Sequence, residues 1–235
     1  MRRAFGVLVL TILGLTFTSA TSYAQQSVTF SIGRFVPHGE DARLSATNGA
    51  GDVLVNNLDF LAFRISDFNG VTFSGEYVVG LGRWIDAGFG AGYYRRTVPS
   101  VYANLMNEDG TEIEQNLQLR IVPWTATVRF LPLGRTGPVQ PYVGGGVGVF
   151  QWRYSEVGQF VAEDQTIFSD SFAGSGVSAG PVFLGGVQFP IGSLKLGGEV
   201  RYQKAEGDLP ADLGFSSNKI DLGGWTYAAT VGIRF

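Results

Sequence analysis

Apolar residues recur at every second position in eight stretches of this chain, the period of a β-strand with two unlike faces. The clearest stretch runs from Leu194 to Tyr202. There Leu194, Leu196, Gly198, Val200 and Tyr202 share one face, and Lys195, Gly197, Glu199 and Arg201 share the other. The same alternation is carried by Val28, Phe30 and Ile32, by Val71 to Val79, by Ile85 to Tyr93, and by Val143 to Val149. It returns in Ala179 to Phe189 and in Trp225 to Phe235. In the remaining stretch the apolar set is Leu117, Leu119 and Ile121 upstream but Ala126, Val128 and Phe130 downstream. The parity changes around Pro123, which predicts a β-bulge there, because proline cannot donate to a ladder.

Alternation alone does not say which face meets water. In a soluble sandwich or a soluble ligand-binding barrel the apolar face is the core, whereas in a membrane barrel it faces lipid and the polar face lines the lumen. The connections favour the second reading. They are short after the second, fourth and sixth strands (near residue 80, 131–138 and 190–193). After the first, third, fifth and seventh they are long, over roughly 38–69, 99–111, 157–173 and 206–218. Short turns on one side and long loops on the other, with an even strand count, describe an eight-stranded antiparallel up-and-down transmembrane β-barrel with both termini periplasmic.

Residues 1–24 form a separate unit. Arg2 and Arg3 precede an apolar run from Phe5 to Phe17, and Ser22-Tyr23-Ala24 is a small-x-small cleavage site, so the segment reads as a secretory signal peptide and 25–235 as the barrel domain. A spanning helix needs about 20 apolar residues, and the Ser/Thr run from Thr16 to Ser22 stops this stretch short of that.

Composition agrees. Charged residues make up only 16% of the 235, against about 25% in an average soluble domain, so a water-facing enzyme surface is hard to build. The 34 glycines and 13% aromatics fit many closely packed strands. With no cysteine, a disulfide framework, a cysteine metal site and a lipidated anchor are excluded. The formal charge of −3 supplies no basic surface for nucleic acid.

The last residues, WTYAATVGIRF, place Tyr227, Val231, Ile233 and Phe235 at alternate positions ending on a phenylalanine. This resembles the terminal strand by which Gram-negative barrels are handed to the outer-membrane assembly machinery, with Thr230 a departure where glycine is common. Together with GEY, AGYY and PYVGGGVGV, it makes the mature chain resemble the small eight-stranded OmpA/OmpX/OmpW-like barrels. The resemblance implies the cell outer membrane as location, with lipid and lipopolysaccharide as neighbours. It implies a role as a structural or adhesion-like surface-binding barrel, a passive conduit for small apolar solutes, or a lipid-modifying enzyme. Because Phe235 ends barrel and chain together, no periplasmic cell-wall domain is expected.

If the apolar faces meet lipid, the opposite parity gives the lumen, and Glu76, Arg96, Arg129, Lys195, Glu199 and Arg201 fall there. An eight-stranded barrel is just wide enough for side chains to fill, so these groups are expected to pair as an interior charge network and leave no open pore. Trp84, Tyr142, Trp225 and Tyr227 are read as a headgroup-level girdle beside the short turns. Gly144, Gly146 and Gly148 are expected to face inward; no Lys-Ser/Thr follows them, so they are not a phosphate loop.

In the first long connection Leu54, Leu58, Leu61 and Ile65 match helical spacing and Asp52 suits an N-cap, predicting a short amphipathic helix over 52–62 on the barrel mouth or the outer-leaflet interface. Leu61, Phe63 and Ile65 fit the start of a strand equally well. His38 lies in PHGED with Glu40 and Asp41 close by; histidine, acid and serine are the groups of acyl transfer, but the spacing forms no motif. Function is therefore expected on the extracellular loops, without catalysis, cofactor or metal. No extracellular partner is specified.

Overall fold

The computed structural model describes residues 25–44, 51–162, 164–210, 212 and 214–235. The expected signal peptide lies outside the described residues. Eleven strands are present. In chain order they are β1 (Gln26–Pro37), β2 (Leu61–Ala62), β3 (Gly70–Gly80), β4 (Ile85–Met106), β5 (Glu112–Phe130), β6 (Gln140–Val161), β7 (Ile167–Ile191), β8 (Leu194–Gln203), β9 (Glu206–Asp208), β10 (Lys219–Asp221) and β11 (Gly224–Arg234). Two one-turn helices, α1 (Glu40–Leu44) and α2 (Val53–Asn57), and a 3₁₀ turn at Ile65–Phe68 lie between β1 and β3.

Eight of the strands close a ring. The antiparallel order is β1-β3-β4-β5-β6-β7-β8-β11, and β11 returns to β1 in register from Ser27↔Arg234 to Pro37↔Gly224. Closure leaves no sheet edge in this part of the molecule, the condition for strands to sit in lipid. The outer face is apolar there: Phe30, Phe73, Phe89, Val147 and Phe183 are each more than half exposed. The three short connections turn on positive-φ glycines, Gly82, Gly134 and Gly192. The first and last strands of the ring meet at that rim, where Gln26 and Phe235 exchange backbone hydrogen bonds.

The two hairpins β4–β5 and β6–β7 rise well beyond the ring. β1, β3, β8 and β11 reach their far ends at Pro37, Gly70, Gln203 and Gly224, while β4–β5 pairing continues to Met106↔Glu112 and β6–β7 pairing to Val161↔Ile167. The expected loops 99–111 and 157–173 are thus mostly strand, with tips of only five residues, 107–111 and 162–166. These segments alternate as strands do, but with the apolar residues on the other face, so a lipid-facing template misreads them.

That inversion also explains Pro123. No bulge forms: β5 stays in unbroken register with β6 from Gln115↔Gly158 to Phe130↔Val143, and with β4 it holds the same register on both sides of the proline, Ala91↔Trp124 and Tyr94↔Ile121. The missing N–H interrupts the β4–β5 ladder without slipping it. Inward residues keep one parity, Leu117, Leu119, Ile121, Thr125, Thr127 and Arg129 all being buried. What changes at Pro123 is the environment on each side of the wall, so the parity of the apolar residues changes while the strand does not.

The four-stranded extension curves around its own core. Leu117, Leu119 and Ile121 of β5, Phe150, Trp152 and Tyr154 of β6 and Val182 of β7 pack against Val53, Leu54, Leu61 and Phe68 from one connection and Ala205, Leu209, Ile220 and Leu222 from the other. Most of these side chains are 0–3% exposed. The expected helix over 52–62 is therefore corrected in length, and of the two expected places it takes the barrel mouth. It spans Val53–Asn57, with the Asp52 carboxylate accepting from Leu54 N–H at 2.9 Å, and Leu61–Ala62 instead pairs as a strand with Tyr102 and Val101. Its apolar side faces the barrel's interior and not the lipid surface.

Candidate functional site

The lumen is filled in three layers. The lowest follows from parity in β3, β5 and β8, which turns Glu76, Arg129, Glu199 and Arg201 inward. Arg129 Nη2 bonds Glu76, and lies 3.1 Å from Glu199 Oε2. Arg201 Nη2 is 2.8 Å from Glu199 Oε1 and 3.5 Å from Glu76 Oε2. Two acids and two bases cancel in charge, and hydroxyls add to the shells of Glu76, Glu199 and Arg201. Thr127 donates to Glu76 at 3.1 Å, Tyr142 donates to Glu199 at 2.9 Å, and Arg201 Nη1 donates to Thr125 at 3.2 Å. The Arg129 guanidinium also lies 4.9 Å from the centre of the Tyr142 ring. A Cβ at Gly88 would collide with the Glu76 carboxylate, and one at Gly186 with the Tyr142 hydroxyl, so both glycines make room for the cluster.

Three expectations are corrected here. Tyr142 is buried in this cluster and is not part of a lipid-facing girdle; it shares parity with Gly144, so alternation already pointed it inward. Trp225 and Tyr227 do face outward, but they lie toward the Gly224 end of β11, opposite the short turns, while Trp84 alone of the four is both exposed and beside a short turn. Arg96 does not join the network: it is exposed at the mouth, donating Nε to the Asp67 carbonyl at 2.9 Å at the end of the 3₁₀ turn. Lys195 is buried, yet has no carboxylate of a described residue within ion-pair distance. A pair that parity did not announce, Arg135 with Asp86, closes the short-turn end, Arg135 Nη2 also donating to the Ile85 carbonyl at 2.7 Å.

Above the ion cluster lies a cavity of about 40 Å³, whose walls pass from Ser74, Thr125 and Arg201 to Phe35, Tyr94 and Ile121. Space on that scale suits a few waters and not a channel. The apolar core of the extension forms the second layer. Several polar groups there find partners: Asn57 Nδ2 donates to Glu156 Oε1 at 2.7 Å, Tyr154 donates to the same oxygen at 2.8 Å, and Trp152 Nε1 donates to Ser178 Oγ at 3.1 Å, whereas the buried Gln115 amide has no partner among the described residues.

The third layer ties the covering segments to the barrel rim. Arg43, fully buried, donates Nη1 to both oxygens of Asp52 at 2.9 and 3.0 Å and Nε to the His38 carbonyl at 3.0 Å. Asp52 also accepts from Asp221 N–H at 2.5 Å, and Asp221 in turn holds His38 Nδ1 at 2.8 Å and accepts from Gly223 N–H at 2.6 Å. Burial acts to raise the Asp221 pKa, but the hydrogen bond from His38, the charge of Arg43 and the Gly223 N–H outweigh it and hold the carboxyl below its ordinary value. The partner of His38 is thus Asp221, 183 residues away, and not the neighbouring Glu40 or Asp41. Among the described residues no serine hydroxyl bonds to His38. No group of three or more metal-ligating side chains occurs among them either.

Tyr227, Val231, Ile233 and Phe235 all face outward and are each about half exposed or more, lying on β11 where it closes against β1.

No protein-family profile and no curated protein sequence matches the chain. Among solved structures it is similar to the attachment invasion locus protein Ail of Yersinia pestis, determined in complex with the heparin analogue sucrose octasulfate. The match is 12% identical, covers 90% of this chain and 99% of Ail, and has a TM-score of 0.42. Neisserial surface protein A is 12% identical over 90% of this chain and 97% of its own, with a TM-score of 0.45. The outer membrane protein AlkL, solved by solid-state NMR in lipid bilayers, is 16% identical over 100% and 97%, with a TM-score of 0.44. At such identities and scores the likenesses carry neither identity nor function. The fold rests on the chain's own closed ring of eight antiparallel strands.

Proposed function

We propose that this chain is a sealed β-barrel of the Gram-negative outer membrane, with both termini in the periplasm and a structural or surface-binding role exercised by its extracellular half, without catalysis. The observation that carries the reading is the filling of the lumen. Arg129, at 2% exposure, closes it in the lipid-embedded part and Leu117, Phe150 and Tyr154, at 0%, close it above. Neither layer leaves room for a solute, and among the described residues the dyad of His38 and Asp221 has no nucleophile bonded to it. The surface offered to the outside is therefore the polar wall of the extension and the two hairpin tips, 107–111 and 162–166.

Planar-bilayer recording of the refolded protein tests this: the expected trace shows no steady conductance, and porin-like steps or facilitated passage of an apolar solute would overturn the sealed reading. Loss of a lipid-acylating activity in a folded His38→Ala variant would overturn the non-catalytic one. The described part of the first long connection carries Val53, Leu54, Leu61 and Ile65 into the core, so shortening it would disturb the fold. Surface binding is better tested by replacing Glu108 and Asp109 at the exposed first tip.

The outward stripe of Tyr227, Val231, Ile233 and Phe235 is proposed as the signal read by the outer-membrane assembly machinery. Deleting Phe235 is expected to reduce membrane insertion in cells more than it lowers the unfolding midpoint of protein refolded in vitro.

A further inference from the structure

The strand register places three arginines side by side on the outer wall. Arg95 of β4 is paired with Arg120 of β5, and Arg120 with Arg153 of β6. All three are exposed, and none has an ion-pair partner among the described residues. A fourth, Arg34, is also exposed and lies on the same row two strands further round, paired with Val71 of β3. Like charges directly opposite on one face of a sheet repel. Three in succession without a carboxylate between them leave a row that the protein itself does not neutralise.

Its position says what does. Two residues toward the short turns along each strand, the outward side chains are Ile32, Tyr93 and Val122, with Gln151 the single polar one, and below them come Phe30, Phe89, Trp124 and Val149. Two residues the other way on β4, β5 and β6 the wall is polar, Thr97 bonded to Gln118 at 3.0 Å and Ser155 beside it, while on β1 the corresponding residue is Val36. The arginines therefore mark the line where the lipid-facing belt ends on the extracellular side. We infer that Arg95, Arg120 and Arg153, flanked by Arg34, form a binding row for the phosphates of anionic outer-leaflet lipid headgroups of the lipid A class. A guanidinium presents paired donors that match phosphate oxygens, and an anion shared by two neighbouring arginines removes their repulsion. The apolar belt directly beneath holds acyl chains of the same molecule, which favours a membrane lipid over a soluble polyanion. The inference rests on the outer-membrane reading given above.

The test uses the full mature chain and its Arg95→Gln/Arg120→Gln/Arg153→Gln variant, refolded into zwitterionic phosphatidylcholine vesicles with or without bisphosphorylated lipid A. In pure phosphatidylcholine the variant is expected to unfold in urea at the same midpoint as the parent or a higher one, because repulsion has been removed. With lipid A the order reverses, and retention of lipid A in nanodiscs falls about tenfold or more in the variant, as expected for three cations lost from a charged interface. Dephosphorylated lipid A should remove the difference between the two proteins. An Arg83→Gln change at the opposite rim should leave retention unchanged. Equal retention by parent and variant, a midpoint difference that keeps one sign in both lipids, or equal competition by soluble heparin would overturn the proposal while the barrel stands. Failure of the parent to insert at all, read as loss of the heat-sensitive shift in gel migration, would instead remove the membrane reading and this proposal with it.

Discussion

The same four strands, β4 to β7, build two walls of opposite character. Below Pro123 the wall of β5 shows Val128 and Phe130 to the outside and Thr127 and Arg129 to the inside; above it, Gln118 and Arg120 face out and Leu119 and Ile121 face in. Side-chain parity is continuous across the change. One half is a barrel in a hydrocarbon solvent with a polar centre, and the other is a curved sheet in water with an ordinary apolar core. The difference teaches that alternation specifies which residues share a face, while the solvent decides which face is called inside.

The two halves should fail differently. The largest effect is expected from Arg129→Ala, which leaves Glu76 and Glu199 sharing one remaining arginine in a buried interior and should cost about 3–5 kcal/mol of unfolding free energy in lipid vesicles. Phe150→Ala, an apolar deletion in the upper core, belongs to a class that costs about 3–5 kcal/mol. Here the expected reading is proteolysis within the 38–69 covering segment, while the barrel keeps its heat-sensitive gel migration. A change of both readouts together would mean that the halves unfold as one unit.

A lysine introduced on the outer wall of one strand gives the comparison its sharpest form. Val128→Lys faces lipid and is expected to cost about 2–4 kcal/mol, less if the site lies toward the membrane interface. Gln118→Lys, five rungs up on the same face, is expected to stay within about 0.5 kcal/mol.

Acid should release the upper half selectively. The Asp221 carboxyl is held below its ordinary value, so the folded state prefers it ionised. Its contribution is present above the ordinary aspartate range and lost as pH falls through the lowered folded value. Protease sensitivity of the covering segments is expected to rise on acidification below pH about 4 in the parent. A His38→Ala variant, lacking one of the groups that holds Asp221 ionised, should show the rise at a higher pH. An unchanged profile would show that the bond between His38 and Asp221 does not hold the covering segments.

Much of the lower half was legible in the sequence because its order is local. A strand of nine residues announces its two faces in nine residues, and the short turns between Gly80 and Ile85 or Ile191 and Leu194 fix its neighbour. The set of inward charges followed from parity, but which of them meet did not. Arg129 reaches Glu199 because β3, β5 and β8 face one another across the lumen, a relation set by closure of the ring. The upper half was less legible for two reasons. Its strand ends over 99–111 and 157–173 carry the inverted pattern and read as loops, and its ties join residues far apart, Asp52 to Asp221 and Asn57 to Glu156. For Arg43 no local signal existed: an arginine in a polar loop gives no sign that it will be fully buried.

The inversion at Pro123 is open to direct measurement, because the chain has no cysteine and each introduced one is unique. Nitroxide labels placed singly at Asn116, Gln118, Arg120, Val122, Trp124, Ala126 and Val128, all outward on β5, would report relative exposure to oxygen and to a water-soluble nickel chelate in lipid vesicles. The two-walled barrel predicts that oxygen dominates from Val128 to about Trp124 and that the chelate dominates from Arg120 to Asn116, with the crossing beside Pro123. Oxygen dominance continuing through Asn116 would place the upper wall in lipid and contradict the account.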